Sequence, residues 1–515
     1  MLKRTLSLLT LLVVLGALLA ACGGAPASQA PAAESTAATA AEPNQAEAAA
    51  PTTAPEDEAT EEATPESAEA ATEVPPTPTA VDVSTFNEAE AGDRTVIRWF
   101  VGLGTGGDPQ QIEAQQKAVE DFNASQDRIY LALRIVQNTQ AVEALTTQIA
   151  AGDAPDIVGP VGIAGQNSFA GQWLDLSDLV KSANLDLSEY DEKLIEFWDI
   201  EGQGQIGLPF AVFPSFVYFN KDLFDEAGVP YPPQKYGDQY EGKEWNMDTV
   251  KDLAKTLTVD EAGNDATSAE FDPTKIEQFG FAAQYGTEPR AWATLFGAEN
   301  VVGEGNKAQI PDNWRTAWKW IHDAMHKEHF MPNNAYIQSD LLGGNPFNSG
   351  NVAMAYTHLW YTCCITPGEN VKNWDIAITP MADGQLTAKL HADTFSILKS
   401  TENPNEAFEA LSFLINNGEL LQAYGAFPAK KSLQEDFLAN LDEKFAPNKV
   451  NWQVAIDSLQ YPDIPSHEGN MPNFNKAADA FAAFEALYMS EPDLDIDAEV
   501  DTLQTELQTI FDEAQ

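Results

Sequence analysis

The chain has few cysteines and few basic residues for its 515 positions. Its three cysteines, at positions 22, 363 and 364, are too few for a domain held together by disulfides. Lys and Arg number 28 against 79 Asp and Glu, a net charge of −51, which argues against nucleic acids and anionic lipid surfaces as partners. After the first 22 residues, no apolar run is long enough to span a bilayer.

Signatures of common enzyme classes are also missing. The chain has no G-x-S-x-G or similar nucleophile motif, although a secreted hydrolase with dispersed carboxylates stays open. Gly102, Gly104 and Gly107 have the spacing of a dinucleotide-binding loop, but the strand that follows ends at Gln137 without an acid for a ribose. We interpret these glycines as a flexible loop and expect no cofactor.

The N-terminus has the three regions of a secretory leader. Lys3 and Arg4 precede the apolar run Leu6–Leu19, and Leu19-Ala20-Ala21-Cys22 follows. An apolar run this short with a small-residue exit predicts a signal peptide rather than a membrane span. The last four residues resemble a bacterial lipobox, so we expect residues 1–22 to be a lipoprotein leader with Cys22 lipidated. The alternative is an ordinary signal peptide that ends near a cysteine.

Residues 23–93 differ sharply in composition from the rest of the chain. The segment consists mainly of Ala, Pro, Thr, Ser and Glu, and no Lys or Arg occurs between Thr5 and Asp93. Such a sequence buries too little apolar surface to offset its chain entropy. Acidic repulsion and prolines extend it further. We expect a disordered linker that holds a folded part away from a membrane.

From Arg94 onward the pattern predicts alternating strands and helices. Thr95–Phe100 indicates a buried strand, and Asp108-Pro109 an N-cap and first-turn proline of a helix. A second strand over Ile129–Val136, a helix over Val142–Ala150 and a third strand at Asp156–Val158 follow. This βαβαβ order predicts an α/β fold with a parallel sheet, whose ligands bind at the carboxyl ends of the strands. The length of this part suffices for two domains of roughly 100 to 200 residues each.

Several segments in a fixed order resemble one known family. They are Gln148–Val158, Gly207–Phe210, Val217–Gly228, Trp245–Asp248, Phe347–Met354, Trp360, Asp375–Pro380 and Phe427–Ser432. Together they are similar to the family 1 extracellular solute-binding proteins, the maltose-binding-like receptors of ATP-binding cassette importers. The resemblance covers residues 94 to 480. Phe219 stands where the family usually has Tyr.

The resemblance implies a two-lobe fold, in which each lobe is a mostly parallel sheet flanked by helices and the ligand lies in the cleft between them. Mapped by motif, lobe one takes about 94–211 and 381–421, and lobe two about 216–377 and 425–515. The crossing segments are expected near 211–215, 379–383 and 421–426. Ligand contacts made by both lobes would then favour a closed state.

The function implied by the resemblance is capture of a solute outside the cell and its delivery to membrane permease subunits. We expect a monomer, lipid-anchored to the outer face of the bacterial cytoplasmic membrane, that binds a carbohydrate and performs no chemical step. A non-sugar solute remains the main alternative: a polyol, a glycerol phosphodiester, a peptide or a polyamine. The scarcity of Lys and Arg in the expected cleft segments favours a neutral ligand.

Candidate ligand-binding residues combine flat aromatic faces with acids, the groups that recognise sugar rings and hydroxyls. Trp360 occupies the position of a cleft tryptophan in the family, and Trp292 and Tyr285 a second aromatic position, with core packing as the alternative for each. The acidic candidates are Asp108, which also suits a helix cap, and Asp393. Tyr461 and His467 lie in a proline-rich loop that is expected to border the cleft.

Two further sequence patterns each allow two interpretations. Cys363 and Cys364 are adjacent, so they predict either a vicinal disulfide near Trp360 or two reduced, buried thiols. His322 and His326 have the i, i+4 spacing of zinc ligands, but they share a helix with the apolar stripe from Trp314 to Met325. We interpret them as a solvated histidine face and expect no metal there.

Overall fold

The computed structural model describes residues 84–104, 109–200, 202–284, 288–424 and 426–514, with residues 109, 110 and 363 by their backbone only. The leader with Cys22, residues 23–83 of the linker, Asp108 and Tyr285 lie outside the described residues. The described residues belong to one compact unit of the chain, Ala80–Gln515. This unit includes residues 84–93, the end of the segment predicted to be a disordered linker. Ala91 is buried there and Glu88 pairs with Arg98 at 2.6 Å, so the prediction of disorder is wrong for residues 84–93. In these ranges no helix combines the length and apolar character that crossing a membrane requires.

The strands range from two to thirteen residues in length. In chain order they are β1 (Thr95–Val101), β2 (Ile129–Ile135), β3 (Ile157–Gly162), β4 (Asp199–Ile200), β5 (Gly204–Gln205), β6 (Leu208–Asn220), β7 (Val259–Asp260), β8 (Ile276–Ala283), β9 (Val302–Gly303), β10 (Lys307–Ala308), β11 (Val352–His358), β12 (Trp374–Ala377), β13 (Leu390–Ile397) and β14 (Phe427–Pro428).

Helices connect most of these strands and form the C-terminal part. In chain order they are α1 (Pro109–Ser125), α2 (Asn138–Ala151), α3 (Ile163–Asn167), α4 (Ser177–Ala183), α5 (Glu192–Glu196), α6 (Lys221–Ala227), α7 (Met247–Thr256), α8 (Pro289–Ala293), α9 (Asp312–His326), α10 (Asn334–Ile337), α11 (Pro404–Ile415), α12 (Gly418–Tyr424), α13 (Gln434–Phe445), α14 (Gln453–Ser458), α15 (Phe474–Ser490) and α16 (Ile496–Asp512). Short 3-10 turns cover Thr294–Phe296, Glu304–Asn306, Phe347–Ser349, Leu359–Cys363 and Lys431–Leu433.

One large sheet runs through the described part of the chain in the order β2-β1-β3-β13-β6-β11-β8-β7, and β12 and β14 also pair with β6. The pairings of β1 with β2 and β3, and of β8 with β11, are parallel. The strands that pair with β6 are all antiparallel to it. Parallel pairs therefore lie on both sides of an antiparallel middle, and the last strand, β7, is antiparallel to β8.

The long strand β6 pairs with a different strand in each of its halves. Its first half pairs with β13, from Leu208 opposite Phe395 to Pro214 opposite Leu390. Its second half pairs with β11, from Ser215 to Phe219. The crossing predicted near 211–215 falls inside this strand, where its partner changes. The exact bounds of the two lobes stay a prediction.

The first strands confirm the pattern predicted from the sequence. Strands β1, β2 and β3 alternate with α1 and α2, and Gly152 ends α2 in the left-handed region at φ 72°. Neighbouring residues of β1 enter different apolar clusters, Trp99 on one face and Phe100 on the other. A strand buried on both faces needs helices above and below, as the α/β class requires. The α/β fold class is confirmed.

Candidate functional site

The middle of the sheet brings a tryptophan and three histidines together. Two of the histidines lie on strands that pair with β6: His391 lies opposite Phe213, and His358 lies opposite Ser215. Positions two apart on a strand face the same side, so both imidazoles flank β6 on one face. Their ring centroids are 4.5 Å apart, and that of His467 lies 4.7 Å from His391. The histidine cluster is thus His358, His391 and His467.

Trp360 lies against this cluster. It sits in the 3-10 turn that follows β11, and its half-buried ring has its centroid 4.5 Å from that of His358 and 5.0 Å from that of His391. Phe213 of β6 is 5.5 Å away on the same measure. This first candidate from the sequence therefore lies where polar and aromatic groups meet.

Asp463 holds the ring of His467 in one orientation. Its carboxylate is fully buried and accepts from the backbone N–H groups of Leu390 at 2.7 Å and His467 at 2.8 Å. The Nδ1 atom of His467 is 2.6 Å from the same carboxylate. Burial by itself lowers the pKa of His467, but the charge of Asp463 and its hydrogen bond outweigh burial, so the pKa is raised. The ring therefore keeps its Nδ1 proton towards Asp463.

Glu468 contributes a second negative charge next to His391. Its Oε1 atom is 3.4 Å from Nδ1 of His391, and its side chain is only 16% exposed. Burial raises the pKa of Glu468, but His391, His467 and Arg290 outweigh this and lower it to about 2. Glu468 is therefore ionised at neutral pH. Arg290 holds the same loop by donating from Nη1 to the carbonyl of Gly469 at 3.0 Å.

A lysine lies buried beside these acids. Lys389 has no exposed surface, and its Nζ atom lies 5.6 Å from the ring centroid of Tyr356. Burial lowers the pKa of Lys389 to about 8, although Glu288, Asp463 and Glu468 oppose that shift. The site thus combines carboxylates, imidazoles and an amine with an aromatic face, a set suited to hydrogen bonding with a polar solute.

Asp393 lies two residues beyond His391 on β13. Its carboxylate accepts a hydrogen bond from the hydroxyl of Tyr424, which opposes the effect of burial, and burial nevertheless raises the pKa of Asp393 to about 7. A side chain at Gly162 would bring its Cβ to 3.0 Å from this carboxylate, and one at Gly104 would come within 3.2 Å of the Tyr424 hydroxyl. Glycine at both positions leaves room around Asp393 and Tyr424.

Two other predicted ligand residues, Trp292 and Tyr461, pack against aromatic rings. Trp292 is a core residue: its fully buried ring stacks on Trp320 at 5.7 Å and donates from Nε1 to the Ala317 carbonyl at 3.3 Å. Core packing, the alternative for Trp292, is what the structure shows. The half-buried ring of Tyr461 packs on Tyr236, with 4.6 Å between ring centroids. Asp108 and Tyr285 lie outside the described residues.

The adjacent cysteines are described only in part. Cys364 is half-buried and packs against the large apolar cluster, and its carbonyl accepts from the Asn345 side chain at 3.0 Å. The side chain of Cys363 lies outside the described residues, so the vicinal disulfide stays a prediction.

The second histidine group on α9 is structural. His322 is 1% exposed, which corrects its interpretation as part of a solvated face. Its Nε2 atom donates to the Glu491 carbonyl at 2.9 Å, and Nε2 of His326 donates to the Tyr488 carbonyl at 3.0 Å. These carbonyls belong to the C-terminal end of α15, where helix carbonyls lack intrahelical partners. Both histidines therefore bind a helix end rather than solvent.

Sequence analysis missed His358, His391, Lys389, Glu468 and Tyr424. A signal was present for one of them: His391 precedes the candidate Asp393 by two positions, which on a strand means the same face. For Lys389 and Glu468 no local pattern distinguished them from other charged residues.

The pattern of the family described as "Bacterial extracellular solute-binding protein" matches residues 108–420, which is more than half of the chain. The family predicted from the motifs is confirmed, and it is a family of binding proteins.

Solved structures share the fold at low sequence identity. UspC of Mycobacterium tuberculosis is 16% identical, with a TM-score of 0.62 over 81% of this chain and 100% of that one. The sugar-binding protein MalE of Xanthomonas citri is 16% identical, with a TM-score of 0.62 over 81% and 98%. Lmo0181 of Listeria monocytogenes is 20% identical, with a TM-score of 0.58 over 81% and 99%. The predicted two-lobe fold class is confirmed.

Proposed function

Because the chain belongs to the bacterial extracellular solute-binding proteins, we propose that it captures a carbohydrate outside the cell and delivers it to the permease subunits of an ATP-binding cassette importer. The observation that carries the carbohydrate proposal is the position of Trp360. Its half-buried ring lies against the histidine cluster, next to a buried carboxylate and amine.

This combination suits a sugar ring. The apolar C–H face of a pyranose packs on an indole, and its hydroxyls need fixed donors and acceptors around the rim. Asp393 and Tyr424 provide further polar atoms on β13 and α12. The Listeria neighbour was solved in complex with cycloalternan, and the Xanthomonas neighbour is described as a sugar-binding protein. These descriptions support the same ligand class here.

A non-sugar solute has one observation in its favour. Lys389 places a buried amine near the site, and Arg290 lies close enough to affect the pKa of Glu468. Cations of this kind bind phosphate and carboxylate groups. A glycerol phosphodiester or an acidic peptide is therefore the second candidate, ahead of a polyol or a polyamine. In either case we propose binding without a chemical step.

The decisive experiment is a thermal-shift screen of the purified protein against saccharides, polyols, glycerol phosphates, peptides and polyamines. A ligand at a hundred times its dissociation constant adds about 2.7 kcal/mol of stability, so the unfolding midpoint rises with the true ligand class. We expect a rise with one saccharide class. An unfolding midpoint that no saccharide changes but that a charged compound raises would contradict the carbohydrate proposal. It would leave the proposal of a solute receptor intact.

The variant Trp360→Ala tests whether the ring of Trp360 binds the saccharide. Loss of the aromatic face is expected to weaken the saccharide by about 1 to 2 kcal/mol, roughly tenfold in affinity, measured by calorimetric titration. Trp360→Phe is the matched control, since it keeps a flat ring and is expected to keep most of the affinity. Equal affinity in wild type and Trp360→Ala would place the ligand elsewhere.

We also propose that the protein acts as a monomer, carried on the outer face of the bacterial cytoplasmic membrane by a lipid on Cys22. The leader and its lipobox-like end support the anchor, and the acidic, proline-rich composition of residues 23–83 supports a linker that supplies the distance from the membrane.

A further inference from the structure

Three side chains of the site have the composition and spacing of metal ligands. His391, His467 and Glu468 each offer one ligand atom, and these atoms lie within 4.8 Å of one another. One comes from β13 and two from the loop before α15, so the fold, and not a local motif, brings them together.

His467 is oriented as a metal-binding histidine is. Its Nδ1 atom donates to Asp463 at 2.6 Å, so in the neutral ring, which is the form that binds a metal ion, the Nε2 atom carries the lone pair. This Nε2 atom is buried and has no hydrogen-bond partner among the described residues. Metal-ligating histidines commonly donate their other N–H to a carboxylate, which fixes the tautomer and raises the basicity of the ligand atom. Asp463 has this role, and it is itself held by Leu390 and by the backbone of His467.

Glu468 offers an acceptor of the right charge. Its Oε2 atom is also buried and without a partner among the described residues, while Oε1 lies 3.4 Å from His391. Leaving a buried carboxylate oxygen unsatisfied is costly unless a cation or donor meets it. A buried imidazole nitrogen and a buried carboxylate oxygen that both lack a donor are best satisfied together by one cation.

Charged side chains of both signs surround the three candidate ligands. Glu288, Asp463 and Glu468 act electrostatically on this region, against Arg290 and Lys389. Arg290 is engaged with Glu288 at 3.5 Å and with the Gly469 carbonyl. These three acidic and two basic side chains together carry one net negative charge. Lys389 is the group that a metal ion would repel.

We propose that His391, His467 and Glu468 bind one divalent transition-metal ion of the zinc type. Two imidazoles and one carboxylate form a donor set that suits Zn²⁺ and leaves a fourth position for water or for an oxygen of the solute. The inference goes beyond the proposed function, since it holds whether the solute is a sugar or not. No chemical step is involved, only reversible binding.

The histidines of α9 provide the contrast. His322 and His326 also lie close together, with ring centroids 4.8 Å apart, but the Nε2 atom of each is used as a donor to a carbonyl. A nitrogen that carries a proton for such a bond has no lone pair for a metal. His326 is therefore a matched control position.

The experiment is calorimetric titration of ZnCl2 into the purified, tag-free full chain after treatment with a chelator, together with absorption spectra of the protein with Co²⁺. We expect one Zn²⁺ per chain, and for Co²⁺ the intense visible bands of a four-coordinate site. His467→Gln and Glu468→Gln are each expected to remove this binding. Asp463→Asn, which disturbs the tautomer and keeps the ligands, is expected to weaken it by about 10- to 100-fold. His326→Gln is expected to bind as the wild type does.

Circular dichroism establishes that each variant is folded, and His391→Gln, at a partly exposed position, replaces any variant that is not. Absence of stoichiometric zinc binding by the wild type overturns the proposal. So does binding that survives in His467→Gln and Glu468→Gln, or that is lost in His326→Gln. Saccharide binding measured in the presence of the chelator is a separate readout, so failure of the metal site leaves the carbohydrate proposal standing.

Discussion

At the scale of single residues, Lys389 is in the least favourable electrostatic position. Its Nζ atom is buried and has no hydrogen-bond partner among the described residues, and its pKa is lowered to about 8. A buried amine without a partner opposes folding when it is charged. Lys389 therefore contributes charge to the site at the expense of stability.

Lys389→Met is expected to stabilise the fold at neutral pH. The unfolded chain binds the lysine proton up to about pH 10.4, whereas the folded chain loses it near pH 8, so the wild type gains stability as pH rises between these values. The cost of the charged lysine at pH 7 is therefore about 3 kcal/mol, and the methionine removes it. Urea unfolding at pH 7 and pH 10 measures the difference, which is expected to shrink at the higher pH.

The control for this prediction is Lys399→Met, at an exposed position just after the same strand, which is expected to change stability by less than about 1 kcal/mol. A Lys389→Met advantage that stays constant from pH 7 to pH 10 would show that the amine is not the cause.

Trp360 and Trp292 show the limit of residue-level prediction. Both were chosen as aromatic candidates from their places relative to the family motifs, and only Trp360 lies against polar groups. Whether a tryptophan is exposed depends on what packs against it, and Trp320 and Phe281, which cover Trp292, come from other elements. The sequence around Trp292 does not indicate that these two rings pack on it.

At the scale of elements, a close contact between β8 and α7 depends on one glycine. A Cβ atom at Gly280 would lie 1.9 Å from the carbonyl oxygen of Ala254. The backbone N–H of Gly280 also donates to the hydroxyl of Thr258 at 2.8 Å, just past the end of the helix. Helix and strand therefore approach as closely as their backbones permit.

Gly280→Ala is expected to lower the free energy of unfolding by about 3 kcal/mol, because the added methyl group forces the helix away from the sheet. Urea unfolding followed by tryptophan fluorescence measures it. Gly418→Ala serves as the control: its Cβ would meet only Leu433, at an ordinary 3.7 Å, so a change below about 1 kcal/mol is expected. Equal stability of both variants would disprove the close contact.

Helix α9 illustrates why the buried residues of a helix are harder to predict than the helix itself. Its apolar stripe is buried as expected, with Trp314, Trp318, Ile321 and Met325 in the core. His322 comes directly after Ile321 of this stripe and is buried too. The C-terminal end of α15 packs against it, and the carbonyls of that helix end need donors. Helical periodicity identifies one apolar face, but it does not reveal a polar contact that another helix creates.

At the scale of the whole molecule, the strongest expectation concerns the anchor. Acylation of Cys22 on more than one position would hold the chain on a membrane, since stable anchoring needs more than a single lipid chain. Cys22→Ser is expected to move the protein from the membrane fraction of the producing bacterium to the soluble exported fraction. Cell fractionation and the mass of the N-terminal peptide check this.

Cys364→Ser is the control for the anchor and is expected to stay with the membrane. A wild-type chain that is soluble and has an unmodified Cys22 would instead support an ordinary signal peptide. Solute binding is independent of this outcome, since Trp360 and the histidine cluster lie within residues 358–467.

The sequence by itself determined the strands and helices of residues 95–158, the α/β class and the family. These depend on local information: apolar periodicity, caps, and motifs in a fixed order. Only the tertiary structure decided which polar groups meet. His358, His391 and His467 come from separate elements, and the register of β6 with its two partners and the conformation of one loop bring them together. Register and loop conformation result from packing between distant segments, so no local pattern contains them.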